Sequence, residues 1–422
     1  MIYQKSIPGA LVSLFLIFSL TACDSSSNES TDLAVSGKVT DGDGYGKSLQ
    51  APIDGAIVTA ATVGANGSLN ALEGTTTTDV NGSYSLDLDT SADVFVTMAE
   101  TSSYSGSALV ARADGSSSVQ ASPINTETTG EVSVYQEMRA SGEAGSFVDV
   151  IAFVDKVVAA DIAAEAGMAA TFASAIAAGN EGEDEYMERD NIDRRDEKED
   201  DREEREHAAL VALQSSLSAA ASSSAEATAL EAFEEALIDA SIEAGFSAQS
   251  EARARQASQS SVKNLVASGN LSAETEFSLN KRLAVMTALA VSKAVEASFE
   301  AAGASASRLA AIATAGEAWV SGTRSASVES EINSQHASYA ASIDVELAAE
   351  INVASATIDA AKAATNTAKV ALNASLAIAA DAAAIADAHI AFYLAAEVAV
   401  STALSSSSNA TLGTDVIALL AI

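Results

Sequence analysis

The stretch Thr78–Asp79–Val80–Asn81–Gly82–Ser83–Tyr84–Ser85–Leu86–Asp87–Leu88–Asp89 alternates from its middle onward. Tyr84, Leu86 and Leu88 fall on one side of an extended chain, and Ser83, Ser85, Asp87 and Asp89 on the other. Successive side chains of a strand point to opposite faces, so this is a strand with one face buried. Asn81–Gly82 supplies the turn before it, because glycine accepts the positive φ of a tight hairpin. Working outward, Leu33, Val35 and Val39 share a face, and Val94, Val96 and Met98 alternate with Phe95 and Thr97. Val132 and Val134 continue the alternation, and further turns stand at Asp41–Gly42–Asp43–Gly44, Asn66–Gly67 and Asp114–Gly115. Short alternating strands between such turns predict a small antiparallel β-sandwich over residues 33–139.

Three segments of this region carry a more specific signal: Gly37–Lys38–Val39–Thr40–Asp41, Pro52–Ile53–Asp54–Gly55–Ala56–Ile57–Val58, and Thr78–Asp79–Val80–Asn81–Gly82–Ser83–Tyr84. Together they resemble the carboxypeptidase regulatory-like domain, as does Ala121–Ser122–Pro123–Ile124–Asn125–Thr126 at the end of such modules. The resemblance implies a transthyretin-like β-sandwich that is not catalytic and serves folding, spacing or binding. The loop from Gly42 to Ala51 is longer than in the shortest versions of the pattern. It opens like half of a calcium loop, and Asp41 and Asp43, with Asp54 if the loop folds back, are the candidate calcium ligands. The twelfth position counted from Asp41 is Pro52 where an EF-hand needs a bidentate Glu, which favours a turn with solvent-facing aspartates.

After Ser146 the period changes to that of a helix. Ile151, Val154, Val158, Ile162, Glu165, Ala169, Phe172 and Ile176 form a seam, apolar except at Glu165, that ends at Gly179–Asn180–Glu181–Gly182. Residues 183–206 follow as a charged helix or a disordered linker, with Glu185/Arg189, Asp190/Arg194 and Asp201/Arg205 four apart. A break is expected at Ser268–Gly269–Asn270, with Ser272 capping the next helix and softer points at Gly303, Gly316 and Gly322. The longest stripe runs from Ile343 to Leu404 with a step near 3.6 residues. A single helix from Gln335 to Thr402 would be roughly 100 Å long. Alanine on the seams brings helices close, so residues 146–404 read as a long, Ala-rich, elongated helical bundle, a coiled coil in character, followed by a tail over 405–422. Asp381, Asp387, His389 and Glu397 argue against a membrane span near its end.

The chain starts with an apolar run from Ile7 to Leu20, shorter than the roughly 20 residues of a membrane helix. The run ends in Leu20–Thr21–Ala22–Cys23, and Cys23 is the only cysteine. This resembles the lipobox of bacterial lipoproteins, which implies a signal peptide over 1–22, lipidation of Cys23 and a polar tether over 23–32. Asp24 resembles an inner-membrane retention signal. One cysteine excludes an intrachain disulfide or a cysteine zinc site.

The 58 acidic and 22 basic residues give a formal charge of −36, which excludes nucleic acid as a partner because phosphates need Lys and Arg. His207, His336 and His389 lie far apart, and no phosphate loop, zinc-ligand pair or serine elbow is present. The expectation is a non-catalytic lipoprotein of the bacterial envelope without a cofactor, held to the membrane by its lipid, with a structural or protein-interaction role. Its partners would be an envelope protein or glycan, or further copies through the helical region. The alternative is a calcium- or glycan-binding module acting through the β-domain loops.

Overall fold

The computed structural model describes residues 32–44, 51–142, 145–189, 195–220, 222–267 and 271–422. Cys23, Asp24, Asp190/Arg194 and the break at 268–270 lie outside these residues. A β-region comes first, with strands β1 (Asp32–Lys38), β2 (Ile57–Val63), β3 (Leu69–Ala71), β4 (Thr76–Thr77), β5 (Ser83–Asp89), β6 (Val94–Glu100), β7 (Ser105–Ala111) and β8 (Ser118–Gln120). The helices that follow are α1 (Thr126–Ser141), α2 (Phe147–Phe153), α3 (Lys156–Ala164), α4 (Met168–Arg189), α5 (Arg195–Ala219), α6 (Ser223–Glu243) and α7 (Ala248–Ala267). Then come α8 (Ala273–Ala301), α9 (Ala306–Ser325), α10 (Glu329–Glu350), α11 (Ser355–Leu376), α12 (Ala382–Ala403) and α13 (Ala410–Leu420).

The strands make two sheets, ordered β5–β1–β8 and β3–β2–β6–β7, with β4 also on β2. Leu33, Val35, Leu86 and Leu88 of the first share one buried core with Val58, Ala60, Phe95 and Val110 of the second. The expectation of a wholly antiparallel arrangement is corrected at β8, which pairs in parallel with β1 through Val35 and Val119. A parallel neighbour cannot arrive through a tight turn, and β8 reaches β1 only after the whole second sheet has been built. The second sheet is covered on its outer face too: Val96, Leu109 and Ala111 belong to the core of the helical region. This is why Ala108–Leu109–Val110–Ala111 is an unbroken buried run rather than an alternating one.

The three quoted motifs meet in space. Gly37 is the direct cross-strand partner of Tyr84, and a Cβ there would lie 2.5 Å from the phenol oxygen. Tyr84 in turn donates to Thr97 Oγ1 in the other sheet at 3.3 Å. Thr78 Oγ1 donates to the Ile53 carbonyl and accepts from the Ala56 N–H, tying the Pro52 segment to the hairpin. In the turn, Asp79 Oδ1 accepts from the Asn81 and Ser83 N–H groups, and Gly82 has φ +70°.

Several element boundaries differ from those read off the sequence. Val132 and Val134 lie in α1, not in a strand, so the β-region ends at Gln120. Asn125 starts that helix with a reciprocal capping box to Thr128, and Gly142 ends it in the left-handed region. The seam after Ser146 is three helices, because Asp155 caps α3 by accepting from the Val157 and Val158 N–H groups and Gly167 turns the chain at φ +87°. Gly179–Asn180–Glu181–Gly182 does not end a helix but lies inside α4. A Cβ on Gly179 would come 3.0 Å from Val262, and one on Gly182 would overlap Ser261, so these glycines let α4 and α7 pack closely. Gly316 and Gly322 are likewise interior to α9, whereas Gly303 does separate α8 from α9 and Ser272 does cap α8.

The expected single helix over 335–402 is also corrected. It is interrupted at Ile351–Ala354, where Asn352 has φ 54°, and again where Asp381 caps α12. The stripe survives because α10, α11 and α12 keep the same apolar phase across their turns, and α11 folds back on α12. Residues of the expected tail form α13, whose Leu412, Val416, Ile417 and Leu419 are buried against α8 and α12. Among the described helices α12 alone has the length and hydropathy to cross a membrane. Its inner face nevertheless packs on α4 and α7, with His389 and Tyr393 buried and Glu397 paired to Arg253 at 2.7 Å.

Candidate binding cavity

The β-region and the helical region join along α1 and α5, both of which pack on β7. In the β6–β7 ladder the Arg112 N–H donates to the Asp93 carbonyl at 2.8 Å, so Ala111, one residue away, turns its own N–H and C=O to the open edge of β7. Gln214 of α5 closes that edge. Its Oε1 accepts from the Ala111 N–H at 2.9 Å and its Nε2 donates to the Ala111 carbonyl at 3.0 Å. His207, two turns earlier, bonds through Nε2 to the Arg112 carbonyl at 2.8 Å.

Beside this contact lies a cavity of about 910 Å³ between β6, α1, the first turn of α2, α4, α5 and α7. Val94, Tyr135, Phe147 and Val211 give it an apolar wall. The opposite wall is ionic. Glu183 accepts from Arg202 Nη1 at 2.8 Å and pairs with Arg255 Nη1 at 3.0 Å. Arg255 Nε donates to Glu251 at 2.7 Å, and the other Glu251 oxygen accepts from Ser241 at 2.6 Å. Asp149, which forms the capping box of α2 with Ser146, also accepts from Asn180 Nδ2 at 2.9 Å.

Glu206 stands apart from this satisfied group. Its nearest cation is Arg202 Nε at 3.7 Å, outside hydrogen-bond range, and that buried nitrogen has no hydrogen-bond partner. Burial pushes the Glu206 carboxyl up to about 8, Arg202 opposes the rise, and the Asp149 charge adds to it. Against their own burial, Arg202 and Arg255 are held charged above the usual arginine range by Glu183 and their other carboxylate neighbours.

The charged run was expected to be a solvated helix or linker, and Glu185/Arg189 and Asp201/Arg205 do pair four apart. Glu183, Arg202 and Glu206, however, line the cavity. A signal for this was present: Arg202, Glu206, Leu210, Leu213 and Leu217 continue one stripe at helical spacing.

The other candidate residues lie elsewhere. Asp41 Oδ1 accepts from the Ala51 N–H at 2.8 Å, closing the base of its loop, and Asp43 sits in the bend beyond it. Asp54 occupies the turn before β2 and borders a second groove with Ile57 and Met98. Among the described residues no group of three or more His, Cys, Asp or Glu side chains is placed to hold a metal ion. His336 lies against Trp319, which stacks on Tyr339 at 4.6 Å. His389 is fully buried and bonds through Nε2 to Ser260 Oγ at 2.9 Å. The three histidines thus belong to separate packing environments. Comparison with protein-family models, with curated proteins and with solved structures gave no match to this chain.

Proposed function

We propose that this chain is a non-catalytic lipoprotein of the bacterial envelope, tethered through Cys23, that presents an acidic helical bundle to a basic protein partner. In this reading the β-region is a β-sandwich of the carboxypeptidase regulatory-like kind that spaces the bundle from the membrane. The junction of Gly37, Tyr84 and Thr78 with the Pro52 segment supports that assignment, since it gives each motif residue a structural role.

The observation that carries the interaction role is where the cations go. Arg253 pairs with Glu397, Arg255 with Glu183 and Glu251, Arg308 with Glu346 and Glu350, and Arg324 with Glu234. Arg253 and Arg255 are largely buried between elements, and Arg308 and Arg324 are partly exposed. Their charge is neutralised internally, so the excess of 58 acidic over 22 basic residues is expressed at the surface. Such a surface attracts a basic partner and speeds its encounter at low salt. The anchor is tested by expressing the precursor and Cys23→Ala with labelled palmitate and fractionating the membranes. Label on the native chain and none on the variant is expected, and equal labelling of both would refute the tether.

A further inference from the structure

We propose that the cavity at the sheet–helix junction binds a small organic cation, an ammonium group on an apolar frame, with Glu206 receiving the charge. This goes beyond the anchoring and partner role above and stands independently of it.

Volume and lining both suit a small molecule. A cavity of about 910 Å³ lies at the upper end of the range for small-molecule sites, and such sites pair an apolar wall with a few convergent polar groups. Here Tyr135, Phe147 and Val211 supply the wall, and among several charged groups Glu206 is the one without a hydrogen bond.

Charge decides the sign of the ligand. Four carboxylates (Asp149, Glu183, Glu206 and Glu251) face two guanidiniums, those of Arg202 and Arg255. Both guanidiniums are engaged by Glu183 and Glu251. Asp114, Asp200, Glu203 and Glu204 add negative charge around the cavity, while Asp93 is paired with Arg112 and His207 is tied to the Arg112 carbonyl. An anion would meet uncompensated repulsion there, whereas a cation would balance the excess.

One group in the cavity has unmet bonding capacity. Glu206 makes no hydrogen bond, and its only ion pair is the long one to an Arg202 Nε that is itself without a hydrogen bond. Glu206 is partly exposed to the cavity, so water alone meets its oxygens there, and an ammonium donor would give it the charge-assisted partner it lacks. The elevated proton affinity of Glu206 agrees: without a cation, a proton takes that place.

The test is titration calorimetry on the full-length protein in detergent with 2-phenylethylammonium, in buffers of differing ionisation enthalpy. Saturable one-to-one binding is expected, with about one proton released per ligand at pH 7 and almost none at pH 9, as the ammonium displaces the Glu206 proton. Glu206→Gln should weaken binding at least tenfold and abolish the release. Val211→Trp, which crowds the apolar wall and keeps the charges, should also weaken binding at least tenfold, and it decides the matter if Glu206→Gln does not fold. Neutral 2-phenylethanol binding equally well would overturn the role of charge. Calcium binding in place of the amine would overturn the organic ligand class. Binding unchanged in both variants, or absent from the native chain, would overturn the site.

Discussion

Replacing Gln214 by methionine keeps the length of the side chain and removes both of its hydrogen bonds. The Ala111 N–H and C=O, bonded to the amide at 2.9 and 3.0 Å, would then face an apolar side chain in a region from which water is excluded. Each unsatisfied buried group costs about 1–3 kcal/mol, and relief from burying the glutamine amide returns part of this. The expected loss is therefore about 2–4 kcal/mol, read as the difference in unfolding free energy from urea titrations followed by circular dichroism. A loss below about 0.5 kcal/mol, the size of an ordinary surface change, would refute the idea that this residue closes the β7 edge.

Gln214→Glu sharpens the test. A protonated carboxyl has one acceptor and one donor, so at low pH it can replace both amide bonds, whereas a carboxylate would set a negative charge against the Ala111 carbonyl. The folded variant should therefore hold the proton of the introduced carboxyl more tightly than its unfolded chain does. The difference from the native protein should be small below the ordinary glutamate range and grow as pH rises through it. A difference independent of pH between 4 and 8 would mean that the side chain is not held in this geometry.

Four further outcomes are expected. His389 is pushed down by burial from 6.5 to about 4, so the unfolded chain takes up its proton first as pH falls. The His389 contribution is complete above about pH 6.5 and lost towards pH 4, a change of about 3 kcal/mol that His389→Leu should remove from the stability-versus-pH curve. Gly182→Ala should cost about 1–3 kcal/mol by overpacking against Ser261, whereas Gly→Ala at an uncrowded helical position would stabilise by about 1 kcal/mol, and urea midpoints will separate the two. Gly37→Ala should lose about 1–3 kcal/mol from contact with the Tyr84 ring, seen as an earlier unfolding transition in tyrosine fluorescence. Replacing Arg324 and Glu234 together by leucine should be near neutral in unfolding free energy, while Glu234→Leu alone should lose about 1–2 kcal/mol, because it leaves the partly exposed Arg324 with only its long pair to Glu231.

The β-region was legible wherever one face is wet. Tyr84, Leu86 and Leu88 alternate with exposed neighbours, so period two is visible there. It failed at β7, which is buried on both faces, and at Val132/Val134, where two valines in α1 happen to sit one residue apart. Helix content was equally plain, but helix ends were not. The breaks at Asn352 and Asp381 fall between segments of the same apolar phase, and asparagine and aspartate are common enough here that their turn chemistry does not stand out. Glycine misled in the opposite direction: Gly179 and Gly182 look like punctuation and serve as contact surface. The cavity was hidden because charge was read as exposure. Only the continuation of Arg202 and Glu206 into Leu210, Leu213 and Leu217 pointed inward, and composition alone does not carry a phase relation of that kind.

Charges turned inward also bear on how an alanine-packed body can have a single structure. An alanine seam looks much the same one turn further along, and sliding two such helices past each other changes little buried area. Larger side chains such as Phe172, Phe299 and Tyr393 help to fix the alignment, but aromatics are only 5% of the chain. The remaining specificity must come from contacts that tolerate no slip, and the buried ion pairs have this property. Arg255 joins α7 to α4 through Glu183, at 11% and 6% exposure, and Arg253 joins α7 to α12 through Glu397. A shift of one turn in either of these would strand a charge in the interior, at a cost of several kcal/mol that the alanine contacts could not offset. The arginines are thus placed where they choose one register among many of similar apolar energy, and a consequence of using them there is a surface left strongly acidic.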